Sequence, residues 1–274
     1  MIFLFIFLIG IFIGSFLNVV IDRLPRKEAI ARGRSHCEFC KKELGWYDLI
    51  PLLSFLMLKG KCRYCHKKLS FYYPIIELTT GVLFAFTYLW ISEIYPFGLA
   101  QGGHLPFTIY HLIYYLIIIS AFIIIFFEDL KFGIIPDKVV FPAIIVSLAY
   151  LFIIYHLSFT PIQSEFIIYL ASGIGSFLFF LLLFLITKGK GMGFGDVKLS
   201  FLLGLILGFP KIILALYLAF LTGAILGIIL IIWRKKRSIK DTIPFGPFLI
   251  LGTILALFYG DLLIPKIIIF LGLP

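Results

Sequence analysis

The chain is poor in charge. Only 14% of its 274 residues are Asp, Glu, Lys or Arg, where a soluble domain carries about 25%. Acids are scarcest, 14 against 24 basic residues, and sulfur is rare, with four Cys and three Met. Disorder is excluded, because it needs low hydrophobicity and high charge. A soluble fold is excluded too, since 62% of the residues are hydrophobic. The net charge of +10 therefore does not mark a soluble nucleic-acid-binding protein, and no nucleic-acid partner is expected. The first apolar run has no basic residue ahead of it and no small-x-small site after it; Arg23, Arg26 and Lys27 follow it instead. It reads as a retained span, not a removed leader.

What the chain has in abundance is apolar runs. They fall at about 1–21, 73–93, 109–128, 139–157, 165–187, 197–209, 211–233 and 245–265. A helix needs about 20 apolar residues to cross a bilayer. The 197–209 run is short, and Pro210 separates it from the next, as helices usually end before proline. The expected fold is an all-α polytopic membrane protein with about eight transmembrane helices, seven being the alternative. Twenty-two of the 24 basic residues lie in four segments: Asp22 to Tyr72, Glu128 to Lys138, Lys188 to Lys198, and Arg234 to Lys240. These are loops one, three, five and seven, so by the positive-inside rule they face the cytoplasm. The basic loops also suit anionic lipid head groups. Trp90 and Trp233 near span ends fit interfacial anchoring. His104, His111 and His156 fall on the outward side and read as structural.

Residues 22–72 are the one substantial polar segment. The expected organisation is a first transmembrane helix at 1–21, a small cytoplasmic four-cysteine domain at 22–72, and a transmembrane core at 73–274. All four cysteines lie in the island, as Cys37-Glu-Phe-Cys40 and Cys62-Arg-Tyr-Cys65. Two such pairs match a tetrahedral zinc site with four thiolate ligands, each pair forming one knuckle. So short a segment lacks a sufficient core, and a metal would contribute much of its folding energy. A closed all-thiolate set leaves no open position for water, so the expected zinc is structural and the insertion zinc-ribbon-like. Disulfides or redox pairs are the competing readings. His36 and His66 flank the knuckles as further possible ligands, and Trp46 is expected to pack the island's core.

Two acids sit at the edges of spans, where ionisable groups are expensive and mark function. Asp129 ends the third span; Asp196 opens the short sixth one, after a run with glycine at 189, 191, 193 and 195. Both fall on the cytoplasmic side, so topology alone brings two carboxylates to one depth. Carboxylates that share a site cannot both ionise easily, so one stays protonated while the other acts as a base. Such a pair can activate water and protonate a leaving amine. The glycines let backbone approach closely and take positive φ, which would admit an extended substrate strand. Other roles are open to these residues. Asp129 and Asp137 could cap a helix, Asp196 could pair with Lys190 or Lys198, and the glycine run could be a plain loop. Intramembrane acids also mark transporters, and a scaffold that uses the island to hold a partner is a further alternative.

Several segments, in order, resemble the type IV prepilin peptidases, also called prepilin leader peptidase/N-methyltransferases. They are Gly14-Ser15-Phe16-Leu17-Asn18-Val19 with Arg23-Leu24-Pro25, the two cysteine pairs, Tyr73-Pro74-Ile75-Ile76-Glu77-Leu78-Thr79-Thr80-Gly81, Asp129 with Ile135-Pro136-Asp137, and Gly193-Phe194-Gly195-Asp196-Val197-Lys198-Leu199. The resemblance implies an intramembrane aspartyl protease of the bacterial inner membrane, with Asp129 and Asp196 as its catalytic pair. Its substrates would be prepilins and pseudopilins, cut after a basic leader at the cytoplasmic face. It implies methylation of the new N-terminus from S-adenosylmethionine in bifunctional members, with Glu77 and Gly81 as candidates for the methyl-donor site. A peptidase without methyl transfer is the alternative within the family. Two positions depart from the family pattern: Tyr72-Tyr73-Pro74 lacks the usual arginine before proline, and Glu128 stands where small or apolar residues are common. Glu128 could perturb its neighbour or snorkel to the interface.

Overall fold

The computed structural model describes residues 1–30, 33–94, 105–157, 163–233 and 244–270. Each long apolar run has become a helix. In chain order these are α1 (Ile2–Arg23), a short α2 (Leu53–Met57), α3 (Tyr72–Ile94), α4 (Leu105–Phe132), α5 (Asp137–Phe152), α6 (Gln163–Ile186), α7 (Phe194–Leu207), α8 (Lys211–Trp233) and α9 (Gly246–Phe270). Among the described residues the fold is all-helical, and seven of these helices, α5 together with the π-helical turn Ile153–Leu157 that continues it, are long and apolar enough to cross a membrane. The eighth expected span, α7, has 14 residues, a length of about 21 Å, against a hydrocarbon core of about 30 Å. It stops at Leu207, where Gly208 takes φ +65 and a cis Phe209–Pro210 bond follows. The basic run from Arg234 to Lys240 and His104 lie outside the described residues. His111 is buried in α4, and Trp90 in α3 sets its ring edge-on to Tyr115 at 5.2 Å.

The chain divides into two compact units, with the boundary inside α4 between Ile124 and Ile125. In the first, α1 and α3 pack antiparallel along a stripe of small residues. A Cβ on Gly10 would stand 2.8 Å from the Gly81 Cα, and one on Gly14 would stand 2.8 Å from the Glu77 Cα. Four residues further along α1, the Asn18 side-chain amide donates to the Tyr73 carbonyl at 3.2 Å. Spacing by four keeps all three contacts on one helix face. Helices in lipid associate by this kind of close approach and interhelical hydrogen bonding. The island between α1 and α3 has no strands among its described residues, only two isolated bridges, His36 with Glu43 and Lys61 with Lys68.

In the second unit α7 is the central helix. It is apolar all round, as a fully enclosed helix is, and buried along nearly its whole length. It packs chiefly on α6 and also against α5, α8 and α9. The α6–α7 crossing is tight: Gly204 stands against the Gly173 Cα and Ser176 Oγ. There Ser176 donates to the Ser200 carbonyl at 2.8 Å, and Ser200 returns a bond to the Ser176 carbonyl at 3.3 Å.

The α1–α3 stripe yields a direct test. Gly10→Val places a branched side chain into the Gly81 backbone, an overpacking that costs about 1–3 kcal/mol. Thermal unfolding in detergent, followed by helical circular dichroism, should show an earlier transition than for the unaltered chain.

Candidate functional site

The two aspartates come from helix ends in the second unit. Asp129 lies in the last turn of α4, and Asp196 is the third residue of α7. Both are buried, at 5% and 6% exposure. Each has one oxygen held by the backbone. The Gly246 N–H donates to Asp129 Oδ2 at 2.9 Å, and the Gly193 N–H donates to Asp196 Oδ2 at 3.2 Å. The second bond is a helix-start feature. Asp196 sits three residues into the helix and reaches back to the cap position, while its own N–H bonds the Gly193 carbonyl at 3.2 Å. Asp196 Oδ1 is buried with no hydrogen-bond partner among the described residues. Gly195, next to Asp196, and Gly246, the donor to Asp129, both pack against Ile135, so the two acids stand in one neighbourhood of the second unit.

Close backbone approach makes this possible. A Cβ on Gly246 would stand 2.5 Å from Asp129 Oδ2, inside any allowed contact. A Cβ on Gly195 would stand 2.9 Å from the Ile135 Cβ, and Ile135 also reaches within 3.3 Å of where a Gly246 Cβ would be. Ile135 thus packs against the backbone beside both acids. Of the four glycines in the 189–195 run only Gly189 takes a positive φ, +71; Gly195 is needed for proximity instead. Ile135 and Gly246 were not among the expected site residues. The signal for Gly246 was Pro244-Phe245-Gly246-Pro247, a break just ahead of the last apolar run.

The lysine expected near Asp196 has another partner. Lys198 forms an ion pair with Asp137 at the start of α5, and its ammonium lies 5.6 Å from the Phe194 ring and 5.8 Å from the Phe141 ring. The pair ties the beginnings of α5 and α7 together and leaves Asp196 free of it. Asp137 is the first residue of α5, whose cap position is Pro136, so neither aspartate makes a side-chain cap there. Glu128 does not snorkel: it is 1% exposed, and both its carboxylate oxygens are buried without a partner among the described residues.

In the first unit the four cysteine Sγ atoms all lie within 4.8 Å of one another, with Cys37 and Cys65 at 3.9 Å. The two knuckles are built alike. The Cys37 N–H donates to the Lys42 carbonyl, the Cys62 N–H to the Lys67 carbonyl, and the residue after each second cysteine, Lys41 and His66, takes a positive φ. All four are free thiols, and the two histidines do not join the cluster. Burial raises the Cys62 thiol, but the Cys65 and Tyr64 N–H groups and the neighbouring thiols outweigh it and bring it down to about 7. The Lys67 N–H favours the Cys65 thiolate, yet burial and the other three thiols push Cys65 up to about 11. Cys62 therefore gives up its proton more readily than Cys65. Asp48 links the island together: its carboxylate accepts from Arg63 Nε at 2.7 Å, from the Tyr64 hydroxyl at 3.3 Å and from the Gly45 N–H at 3.2 Å. Trp46, expected in the island's core, is 78% exposed.

Between the island and the ends of α1 and α3 lies a cavity of about 430 Å³, lined among others by Asn18, Asp22, Arg26, Phe55, Tyr73 and Glu77. Glu77 is buried and accepts a bond from the Leu52 N–H at 2.8 Å. Asn18 Oδ1 is buried and unpartnered among the described residues. Tyr73 donates its hydroxyl to Asp22 at 3.0 Å. Gly81 lies outside this cavity, in the α1–α3 packing stripe.

Residues 8–91 match the model of the bacterial peptidase A24 N-terminal domain, and residues 116–228 match that of the type IV leader peptidase family. A prepilin leader peptidase/N-methyltransferase of Bacillus subtilis (strain 168) is 34% identical over 259 residues, covering 94% of this chain and 95% of that protein. The chain belongs to the type IV leader peptidase family. Proteins of the same name from Aeromonas salmonicida (strain A449) and Legionella pneumophila are 32% and 31% identical, each over 93% of this chain. No solved structure matches. Membership of the type IV leader peptidase family agrees with the resemblance carried by the ordered motifs, and with a multi-pass membrane protein.

The Lys198–Asp137 pair is partly exposed, so it is expected to contribute about 1 kcal/mol or less. Lys198→Ala and Asp137→Ala should each lower the melting temperature slightly. Their double variant should lose less than the sum of the two; strict additivity would show that the pair does not form.

Proposed function

We propose that this protein cleaves the leader peptide of type IV prepilins and pseudopilins at the cytoplasmic face of the bacterial inner membrane, with Asp129 and Asp196 activating a water molecule. The observation that carries this reading is the pairing of two buried aspartates, each with one oxygen held by a backbone N–H and one of them, Asp196, with its other oxygen unpartnered among the described residues. The held oxygens fix the planes of the two carboxylates. Asp196 Oδ1 is the open acceptor for water or substrate. With like charges side by side, one carboxylate ionises and its partner keeps a proton. The ionised member takes a proton from water as the hydroxyl oxygen attacks the scissile carbonyl carbon. The protonated member donates toward the carbonyl oxygen. Collapse of the tetrahedral intermediate breaks the C–N bond, and the leaving amine takes up the proton acquired from water. A substrate with a basic leader and an apolar helix suits a site at a span's end, because its helix rests in lipid while the leader stays in water.

The reading extends to the first unit, with a membrane helix at 1–21, a cytoplasmic zinc-binding domain at 22–72 and the protease core at 73–274. Four sulfurs around one zinc ion at about 2.3 Å stand about 3.8 Å apart, close to the 3.9 Å between Cys37 and Cys65. Cys37, Cys40, Cys62 and Cys65 would hold that ion, and when bound it fastens the two knuckles together. The cavity fits S-adenosylmethionine in size and in chemistry. Glu77 and Asp22 offer carboxylates toward a sulfonium, and the orphan Asn18 Oδ1 accepts a hydrogen bond. When bound, that molecule supplies an activated methyl group for the new N-terminal amine. Gly81 acts there by support, keeping α1 against α3 so that Asn18 and Glu77 face one space.

Purified protein in detergent with a fluorescent prepilin peptide tests the chemistry. Asp129→Asn and Asp196→Asn should each lower cleavage by at least about 10³-fold, the scale of removing a catalytic acid or base. Gly246→Ala should fall by about tenfold or more, since its methyl displaces the Asp129 carboxylate. Wild-type rates in either Asn variant would remove that residue from the mechanism.

Metal analysis tests the island. About one zinc per chain is expected. Cys62→Ser should lose it and unfold residues 22–72, seen as new protease-sensitive sites there. A zinc-free protein with an intact island would refute the assignment. Transfer of a labelled methyl to the cleaved peptide, lost in Glu77→Gln with cleavage retained, would place the donor in the cavity; no label in the unaltered protein would leave a peptidase alone.

A further inference from the structure

We propose that α2 is an interfacial helix whose outer apolar face, with Trp46, rests in the headgroup layer of the bilayer and seats the cysteine-bearing segment on anionic lipid.

The first observation is the two-faced character of α2. Ser54, Phe55 and Leu58 line the cavity, and Phe55 packs edge-on against Phe71 at 5.3 Å. Leu53, Leu56 and Met57 lie at i, i+3 and i+4, one face of a helix. Leu56 is 70% exposed and Met57 80%, and Leu53 is exposed as well. Trp46, just before α2, is also exposed, whereas Leu49 lines the cavity. A helix end bathed in water would carry polar residues at those positions. Here the outward face is the more apolar one.

The second observation is depth. The Leu52 N–H at the start of α2 donates to Glu77 Oε2 at 2.8 Å. Glu77 is the sixth residue of α3, a helix long and apolar enough to cross the membrane from Tyr72 to Ile94. At 1.5 Å per residue it sits about 8 Å inside the helix start. The beginning of α2 is therefore level with the first turns of a membrane span. That is the depth at which amphipathic helices lie in a bilayer, about 5–10 Å into the boundary between head groups and chains.

The third observation is charge. Lys59 and Lys61 follow α2 directly, and residues 22–72 carry twelve Lys and Arg against five Asp and Glu. Basic residues beside an anionic surface are drawn to it, and tryptophan favours the interface. Covalent joins to α1 at Arg23 and to α3 at Tyr72 hold the segment beside the bilayer, so docking needs no diffusional encounter. A protein partner could use the same apolar face, but the depth and the flanking lysines select lipid. The proposal does not depend on the peptidase chemistry.

The test uses the full chain with Trp90→Phe and Trp233→Phe, which leaves Trp46 as the reporter, in vesicles of phosphatidylethanolamine and phosphatidylglycerol. Trp46 emission should be blue-shifted from that of tryptophan in water. Lipids brominated near the headgroup end of the acyl chain should quench it about twofold more than lipids brominated near the terminal methyl. Iodide should quench it weakly. In the same background Leu56→Glu with Met57→Glu should shift the emission to the red and raise iodide access severalfold at unchanged helicity. Iodide quenching equal to that of free tryptophan would overturn the proposal. So would a blue-shifted Trp46 that neither bromolipid nor iodide reaches, which would mean protein covers it. If the double Glu variant loses helicity, the bromolipid comparison in the Trp46-only protein decides alone.

Discussion

Two backbone N–H groups hold the site in the second unit together. One, from Gly246, meets Asp129; the other, from Gly193, meets Asp196. Buried carboxylates are costly unless hydrogen-bonded, and these bonds satisfy each acid on one side only. At Gly246 the donor must also be glycine, because a Cβ there would stand 2.5 Å from Asp129 Oδ2, whereas at Gly193 a Cβ would make only ordinary contact with Asp196. The rest of the unit supports this arrangement. Ile135 packs against the backbone near both acids, and the Lys198–Asp137 pair holds the start of α5 to the start of α7. The central position of α7 keeps Asp196 away from bulk water.

The first unit solves a different problem by similar means. A short polar segment between two membrane helices has little apolar material for a core. Its order comes from two alike cysteine knuckles, from the Asp48 carboxylate bridging Gly45, Arg63 and Tyr64, and from the Leu52–Glu77 bond to α3. Below it, the small-residue stripe of α1 sets Asn18 and Glu77 on one wall of the cavity.

Much of this was legible in the sequence. Long apolar runs become helices because a bilayer leaves backbone groups no other partner, and the eight expected runs match eight helices to within a few residues, except that α5 stops five residues short of its expected end, where a π-helical turn Ile153–Leu157 takes over, and α9 continues five residues beyond its own. The cysteine spacing foretold one cluster of four sulfurs, since each knuckle is local. The meeting of Asp129 and Asp196 could be inferred from topology alone. What sequence did not disclose was long-range contact. Gly246 lies 117 residues from the acid it serves, and nothing local distinguishes it from other glycines beyond the prolines around it. Lys198 looked like a partner for its near neighbour Asp196 and pairs with Asp137 instead. Trp46 was misread because aromatic residues in small domains are usually core, whereas here it is 78% exposed. Glu128 was open between two roles, and burial excludes the exposed one.

The shortness of α7 carries a last consequence. Helices in contact with lipid respond to membrane thickness by tilting or by deforming the bilayer around them. α7 is sheathed by α5, α6, α8 and α9 and meets protein along almost its entire length. Hydrophobic mismatch therefore falls on the sheath, and the 14-residue helix bears none of it. The height of Asp196 is set by its neighbours' packing, which decouples the acid from changes in lipid chain length.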